Sequence, residues 1–314
     1  KNKKVFVRAD IDVPIKNQKS KIKNQNYTVG DDTRLNDIWS TVDFLLKQNC
    51  TVYLAGHLGR PNGKEDLSLS SKPVAEWFVT RLCQGSGEAR GICLKNDICG
   101  FLVTEKLVVL ENLRFDAREE ANDEGLAREL ASLADVYVNE AFAASGREHA
   151  SIIGVPKLLP HYAGFRLAKE IEVLSGVLEN PKRPLLVIIG GAKLETKQPL
   201  IDKMKNFADA VIVGGMLATK EKDFMIDSLP EAKTIVWNGV FGEVEAGHIA
   251  GTEKLIKLIL ENKEAYKIVG GGDTVGFLQK NNLLANFDFV STGGGSMLRL
   301  LAGEKLPGIA ALLN

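Results

Sequence analysis

The chain has 314 residues, enough for two domains of ordinary size. Hydrophobic residues make up 45% and charged residues 25%, which excludes a disordered or collagen-like chain. Lys+Arg and Asp+Glu both number 40, so the net charge is zero and the basic excess of a dedicated nucleic-acid binder is absent.

In chain order, the N-terminus is basic and then reads as a strand, without the apolar stretch of a secretory leader. No run approaches the ~20 apolar residues of a membrane helix. Short β-branched runs at 5–7, 51–55, 107–110 and 136–138 predict strands in the first half. Runs at 185–189, 210–213, 234–236, 267–269 and 287–290 predict strands in the second. Helical periodicity lies between them, for example at 126–133 and 253–260. Strands alternating with helices predict parallel sheets built from βαβ units. The polar stretch 16–28 reads as a solvated loop. A helix over 164–178, then Glu179-Asn180-Pro181-Lys182-Arg183-Pro184, marks a boundary between the halves. Cys50, Cys83, Cys93 and Cys99 form no CxxC pair and complete no zinc pattern, so they are expected as reduced thiols in or near the core.

The arginines are unevenly spread: ten of the twelve lie in the first 166 residues. Arginine clamps carboxylate and phosphate bidentately, although a skew alone could be surface drift. Ligands of open α/β sheets bind beyond the carboxyl ends of the strands. In the first half those ends run into Arg8-Ala9-Asp10-Ile11-Asp12, His57-Leu58-Gly59-Arg60-Pro61, Glu111-Asn112-Leu113-Arg114-Phe115 and Asn139-Glu140-Ala141-Phe142. Arg34, Arg60, Arg114 and Arg147, with His57, form a candidate pocket for a small phosphorylated acid. His149 is expected to be structural.

In the second half the ends run into Gly190-Gly191-Ala192-Lys193, Gly214-Gly215, Trp237-Asn238-Gly239, Gly270-Gly271-Gly272-Asp273-Thr274 and Gly293-Gly294-Gly295-Ser296. Glycine lets backbone N–H groups approach a ligand, and a following helix start favours an anion. Repeated turns of this kind point to a nucleotide, although neither a GxxxxGK[ST] loop nor a strand-linked GxGxxG is present. Lys193 and Lys197, four apart, would share a helix face near that anion. Asp273 reads as a helix N-cap, as a carboxylate holding the nucleotide's Mg2+, or as both.

The segments Val7-Arg8-Ala9-Asp10-Ile11-Asp12-Val13-Pro14, Asp31-Asp32-Thr33-Arg34, His57-Leu58-Gly59-Arg60-Pro61, Leu110-Glu111-Asn112-Leu113-Arg114-Phe115, Gly190-Gly191-Ala192-Lys193, Trp237-Asn238-Gly239, Gly270-Gly271-Gly272-Asp273-Thr274 and Ser291-Thr292-Gly293-Gly294-Gly295 occur in the order found in the phosphoglycerate kinase family. The chain resembles that family over nearly its whole length. The resemblance implies two Rossmann-like three-layer (αβα) domains with parallel sheets, joined by a hinge helix. It places a 3-phosphoglycerate domain at 1–163, the hinge at 164–184 and a nucleotide domain at 185–297. A final segment, 298–314, returns to the first domain. The implied activity is reversible phosphoryl transfer between 1,3-bisphosphoglycerate and ADP, with Mg2+, by a cytoplasmic monomer.

Carried over by resemblance, Asp10, Asp12, Arg34, His57, Arg60, Arg114 and Arg147 bind the phosphoglycerate. Arg34, Lys193, Gly294 and Gly295 stabilise the transferring group. Gly191, Lys193, Lys197, Gly214, Gly215, Asn238, Glu245, Gly271, Gly272, Asp273 and Thr274 hold the nucleotide, with Asp273 linked to the metal.

The chain also departs from the family pattern. Asp12 replaces an asparagine and should repel an anion unless it faces a donor such as Arg34. Gly146 replaces a histidine, and Val240 a proline. Ser296 replaces a small apolar residue and could cap a helix. The family has several tens more residues between Gly215 and Trp237, including part of the sheet. Cutting a strand from the middle of a buried sheet strands its ladder groups. That packing argument favours an omitted segment over a natural shortening, with Cα spacing along 218–230 as the check. The shortfall, together with Asp12 and Gly146, motivates an alternative reading, a non-catalytic relative that only binds metabolite or protein.

Overall fold

The structure is a computed structural model and describes residues 1–18, 26–83, 87–191, 194–214 and 226–313. It forms two compact units. One comprises Lys1–Lys169 with Pro307–Asn314, and the other Glu170–Leu306.

The first unit contains β1 (Lys4–Arg8), β2 (Ile15–Gln18), β3 (Asn26–Val29), α1 (Thr33–Lys47), β4 (Thr51–Ala55) and α2 (Lys72–Leu82). It continues through β5 (Arg90–Cys93), β6 (Cys99–Thr104), β7 (Leu107–Leu110), α3 (Ala117–Glu120), α4 (Glu124–Ala131), β8 (Val136–Asn139) and β9 (His161–Ala163). Helix α5 (Phe165–Glu179) comes next, starting in this unit. The sheet order is β5-β6-β7-β4-β1-β8-β9. Side chains alternate along a strand. Val5 and Val7 therefore join a core with Leu35, Ile38 and Phe78, while Phe6 joins another with Leu126, Leu130 and Tyr137. A sheet covered on both faces needs continuous apolar strands, and β1 is buried from Val5 to Arg8.

The parallel strands β7, β4, β1, β8 and β9 reverse their winding between β1 and β8. That reversal is where a doubly wound sheet opens a crevice at its carboxyl edge. The expectation of a wholly parallel sheet needs correction, because β5, β6 and β7 pair antiparallel. The hairpin strands are too short to show in periodicity. The polar stretch after residue 15 is likewise not simply a loop: β2 and β3 pair antiparallel. Cys93 and Cys99 face each other across β5 and β6, Cα atoms 4.1 Å apart, and form a disulfide. This overturns the expected reduced pair, and both residues are exposed. Cys50 and Cys83 are not part of a disulfide.

The second unit carries β10 (Leu185–Ile189), α6 (Leu194–Met204), β11 (Ala210–Val213), β12 (Thr234–Asn238), α7 (Ala250–Glu261), β13 (Tyr266–Gly270), α8 (Gly272–Lys280), β14 (Phe289–Ser291) and α9 (Gly294–Leu301). Short helix α10 (Pro307–Ala310) belongs to the first unit. Its Gly308 N–H donates to the Ser145 carbonyl at 2.8 Å.

The second sheet is parallel, in the order β11-β10-β12-β13-β14. Counted from β10, this is 2-1-3-4-5, itself a common doubly wound order. It equals the six-stranded order 3-2-1-4-5-6 with the outermost strand, next to β11, removed. The shortfall therefore trims an edge and not the middle of the sheet. β11 is half-buried along its length, as suits an edge strand, whereas β10 and β12 are buried throughout. The packing argument for an omitted segment thus loses its premise. Of its Cα test along 218–230, residues 218–225 lie outside the described residues. Among the described residues, no helix is long and apolar enough to cross a membrane.

Candidate active site

In the first unit, the ends of β1, β4 and β8 and the start of α1 present the predicted polar residues. Arg34, second residue of α1, donates to Asp10 Oδ1 at 3.0 Å. Asp10 is almost fully buried, and its Oδ2 has no partner. Arg34 is held firmly protonated, chiefly by Asp10 and also by Asp12 and Asp31.

Asp12 does find a donor, but not the one expected. Its Oδ1 accepts the Gly59 N–H at 2.9 Å, and its Oδ2 lies 3.9 Å from His57 Nε2. Gly59 sits at φ +59, where an L side chain is strained, and an added Cβ would fall 2.8 Å from Leu69. Its carbonyl accepts from Arg114 Nη1 at 2.8 Å, so one glycine links Asp12 to Arg114. Arg114 is buried, with Nε 3.2 Å from Glu120 Oε1.

His57 is buried, and its basicity falls well below the usual imidazole value. Burial is the main cause, followed by electrostatic opposition from Arg8, Arg147, His149 and Arg34. Arg147 is lowered by burial first, then by Arg8 and Arg60, with Asp10 and Asp12 opposing. His149 is pushed down to about 4 by burial, then by Arg8 and Arg147. These mutual shifts identify one cluster in which cations outnumber carboxylates, which favours a bound anion. Arg60 is exposed at its rim.

Three residues beneath this cluster carry no signal of their role in the sequence. Arg8, Glu119 and Ser151 are all completely buried. Arg8 closes an apolar strand and reads as one more charge at a sheet edge. Glu119 lies in a charged helix run, Arg118-Glu119-Glu120, that reads as solvated surface. Ser151 lies in a wide helical turn, Ala150–Gly154, with no motif around it.

In the second unit, the glycine turns meet at the strand ends. Gly239, at φ +100, passes so close to the turn after β10 that an added Cβ would lie 2.2 Å from the Gly190 carbonyl oxygen. Gly271, at φ +99, precedes α8, and a Cβ on Gly294 would lie 2.5 Å from its Cα. Only glycine permits both approaches. Asn238 Nδ2 donates to the Gly294 carbonyl at 3.0 Å, and the buried Thr274 hydroxyl accepts the Gly239 N–H at 2.9 Å. Lys197 Nζ donates to the Gly190 carbonyl at 2.8 Å. Burial lowers the Lys197 pKa, and the nearby Asp273 carboxylate opposes this.

Asp273 is exposed in the first turn of α8, whose cap is Gly271, so the N-cap reading of Asp273 fails. Ser296 is not a cap either: α9 is capped at Gly293, without a side-chain bond. Gly191, at φ +100, and Gly214 lie at strand ends, and Gly272 and Gly295 in the first turns of α8 and α9. Glu245 is exposed on the separate turn Val244–Ala246. Lys193 and Gly215 lie outside the described residues. A close-packed glycine cradle, a lysine, a carboxylate and two helix starts fit a magnesium-bound polyphosphate.

The sequence profile of the phosphoglycerate kinase family matches residues 1–224 and 222–304. The chain is 33% identical to the phosphoglycerate kinase of Roseiflexus sp. (strain RS-1), covering 99% of this chain and 96% of that protein. It is 33% identical to that of Dictyoglomus turgidum, with the same coverage. Among solved structures, phosphoglycerate kinase from Coxiella burnetii aligns with a TM-score of 0.76 at 28% identity, covering 99% of this chain and 96% of that one. The enzyme from Pyrococcus horikoshii shares the fold, with a TM-score of 0.79 at 24% identity and the same coverage. The Roseiflexus alignment runs over 392 positions, 78 more than the 314 residues here. The profile breaks at 222–224, which locates the shortfall between β11 and β12. Matched by the profile over far more than half its length, the chain belongs to the phosphoglycerate kinase family.

Proposed function

We propose that the cation cluster of the first unit holds 3-phosphoglycerate and the glycine cradle of the second holds the nucleotide. The chain is a phosphotransferase acting between 1,3-bisphosphoglycerate and ADP, giving 3-phosphoglycerate and ATP. The observation that carries the site assignment is the pairing of two unlike sites, one rich in arginine and one in glycine, each at the carboxyl ends of a doubly wound sheet.

Arg34, Arg60, Arg114 and Arg147 supply the positive charge for the phosphoglycerate anion, and His57 a directed hydrogen bond. The buried, unpartnered Oδ2 of Asp10 accepts the substrate hydroxyl. Asp12 braces Gly59 and through it Arg114. On the nucleotide side, Gly191, Gly214, Gly215, Gly271 and Gly272 offer backbone approach. Lys193 and Lys197 bind phosphate, Asn238 fixes the Gly294 turn, Glu245 binds the ribose, and Thr274 holds the Gly239 backbone. Asp273 would hold Mg2+, which neutralises nucleotide phosphate charge when bound.

The attacking group is already an anion, a carboxylate or an ADP phosphate, so no general base is needed. What the reaction needs is in-line positioning, charge neutralisation and exclusion of water. Arg34, Lys193 and the α9 start at Gly294 and Gly295 face that demand. Residues 1–163 and 185–297 are the proposed substrate and nucleotide domains. Residues 164–184, helix α5 and the turn after it, are the proposed hinge, and 298–314 completes the first domain. The proposed state is a cytoplasmic monomer. An assay with 3-phosphoglycerate and MgATP tests the reading: turnover is expected, with loss in Arg34→Ala and Lys193→Ala. Retained turnover in both would refute the assignment. Tight binding of substrates without turnover would favour the binding-only relative that the shortened nucleotide domain suggests.

A further inference from the structure

Arg8 ends β1 with its side chain completely out of water. A buried guanidinium survives only if its charge and its donors are matched. Its Nε donates to Ser151 Oγ at 2.8 Å, its Nη1 to the Ala9 carbonyl, and its Nη2 meets His57 Nδ1 at 3.0 Å. Ser151 is itself fixed. Its backbone N–H and hydroxyl donate to the two carboxylate oxygens of Glu119, at 2.9 and 2.5 Å, and its carbonyl accepts from Tyr137 at 2.9 Å. Glu119 therefore compensates Arg8 across one shared serine.

The direction of the Arg8–His57 bond is forced. A guanidinium has only donors, so Nδ1 of His57 must be the acceptor. The ring's single proton is then on Nε2, the nitrogen 3.9 Å from Asp12 Oδ2. A second proton, on Nδ1, would have to face the guanidinium. The other charged groups acting on this ring are Arg34, Arg147, His149 and Asp12. Arg34 and Arg147 oppose protonation of the ring, as does His149 once it is itself protonated, whereas the Asp12 carboxylate favours it.

We propose that Arg8, held by Ser151 and Glu119, is a positioning residue that locks His57 as the neutral Nε2–H tautomer, presenting one fixed donor to the substrate anion. The inference rests on the assignment of His57 to the phosphoglycerate pocket. An uncharged donor would leave the strength of the anion grip to the arginines and contribute direction instead. Phosphoglycerate affinity should then not follow imidazole titration between pH 5.5 and 8, roughly the range around an ordinary histidine pKa.

The test is 15N NMR of the histidine rings in the substrate-free 314-residue protein, with the His57 signals assigned from a His57→Gln variant. The expected wild-type result is a neutral Nε2–H ring throughout that pH range. In Arg8→Met the ring should gain basicity or populate the Nδ1–H form. Its KM for 3-phosphoglycerate should rise about tenfold, become pH-dependent, and exceed any fall in kcat. Arg8→Lys, which keeps a donor, should restore much of the tautomer. An Nδ1–H or charged ring in the wild type overturns the proposal whether or not any variant folds. So does an unchanged tautomer in a folded Arg8→Met protein. The pocket assignment fails separately: if the tautomer is as stated but His57→Gln leaves KM unchanged, the lock stands and the site reading falls.

Discussion

Asp12→Asn isolates one charge in the proposed pocket. The variant keeps the oxygen that accepts the Gly59 N–H at 2.9 Å, so the brace to Arg114 survives. What disappears is the negative charge of a carboxylate whose Oδ2 is 3.9 Å from His57 Nε2. An anion bonded to that nitrogen would lie roughly 6 Å from Asp12. Coulomb repulsion at ~6 Å is about 0.7 kcal/mol in bulk water and about 1.4 kcal/mol at half that dielectric constant. The Asp12 side chain is 41% exposed, so the lower part of that range applies. The expected result is a KM for 3-phosphoglycerate lowered about three- to fivefold, with kcat nearly unchanged. Steady-state kinetics at low ionic strength measure it, and added salt should shrink the difference. A KM that is unchanged or raised at low salt would refute the electrostatic reading of the pocket.

Gly239→Ala should destabilise the second unit by more than ~2 kcal/mol, because the new methyl carbon meets the Gly190 carbonyl at 2.2 Å. Chemical denaturation checks this, and a wild-type midpoint would contradict it. His149 has a native pKa of about 4, below its unfolded value, so the unfolded chain binds more protons between pH 6.5 and 4. Stability should fall with decreasing pH across that window, by on the order of 2 kcal/mol from this group. The lowered His57 adds to the fall, and the raised Glu119, driven first by burial, opposes it. A flatter pH profile in His149→Gln would support the assignment. Reducing the Cys93–Cys99 bridge, which closes a loop of sequence separation 6, should cost roughly 2 kcal/mol in the chain-entropy account. Thiol titration of the unfolded chain should find two free groups before reduction, Cys50 and Cys83, and four after it.

The buried parallel strands were legible because burial on both faces forces continuous apolar runs such as Leu185-Leu186-Val187-Ile188-Ile189. The carboxyl ends of those strands were legible for the same reason: a run that stops abruptly at Gly190 or Arg8 marks a sheet edge. The β5–β6 hairpin was not, since Arg90-Gly91-Ile92-Cys93 has too few alternating residues to carry a period. The Cys93–Cys99 pair depended on that unseen register, because cysteine spacing alone does not fix connectivity. The lost strand was misplaced for a topological reason. Chain order puts it between β11 and β12, in mid-sequence, whereas sheet order puts it outside β11. Glu119 was beyond reach for another: its partner Ser151 is 32 residues away, and nothing local distinguishes it from its exposed neighbours. Asp12 shows the opposite case, where the sequence raised the right question and the Gly59 amide supplied the answer.

The most direct measurement is single-turnover phosphoryl transfer from ATP to 3-phosphoglycerate by the 314-residue protein with Mg2+. The account expects acyl-phosphate formation that requires both substrates and is lost in Arg34→Ala. Formation of ADP at the same rate without 3-phosphoglycerate, or no transfer by folded protein that binds both substrates, would contradict it.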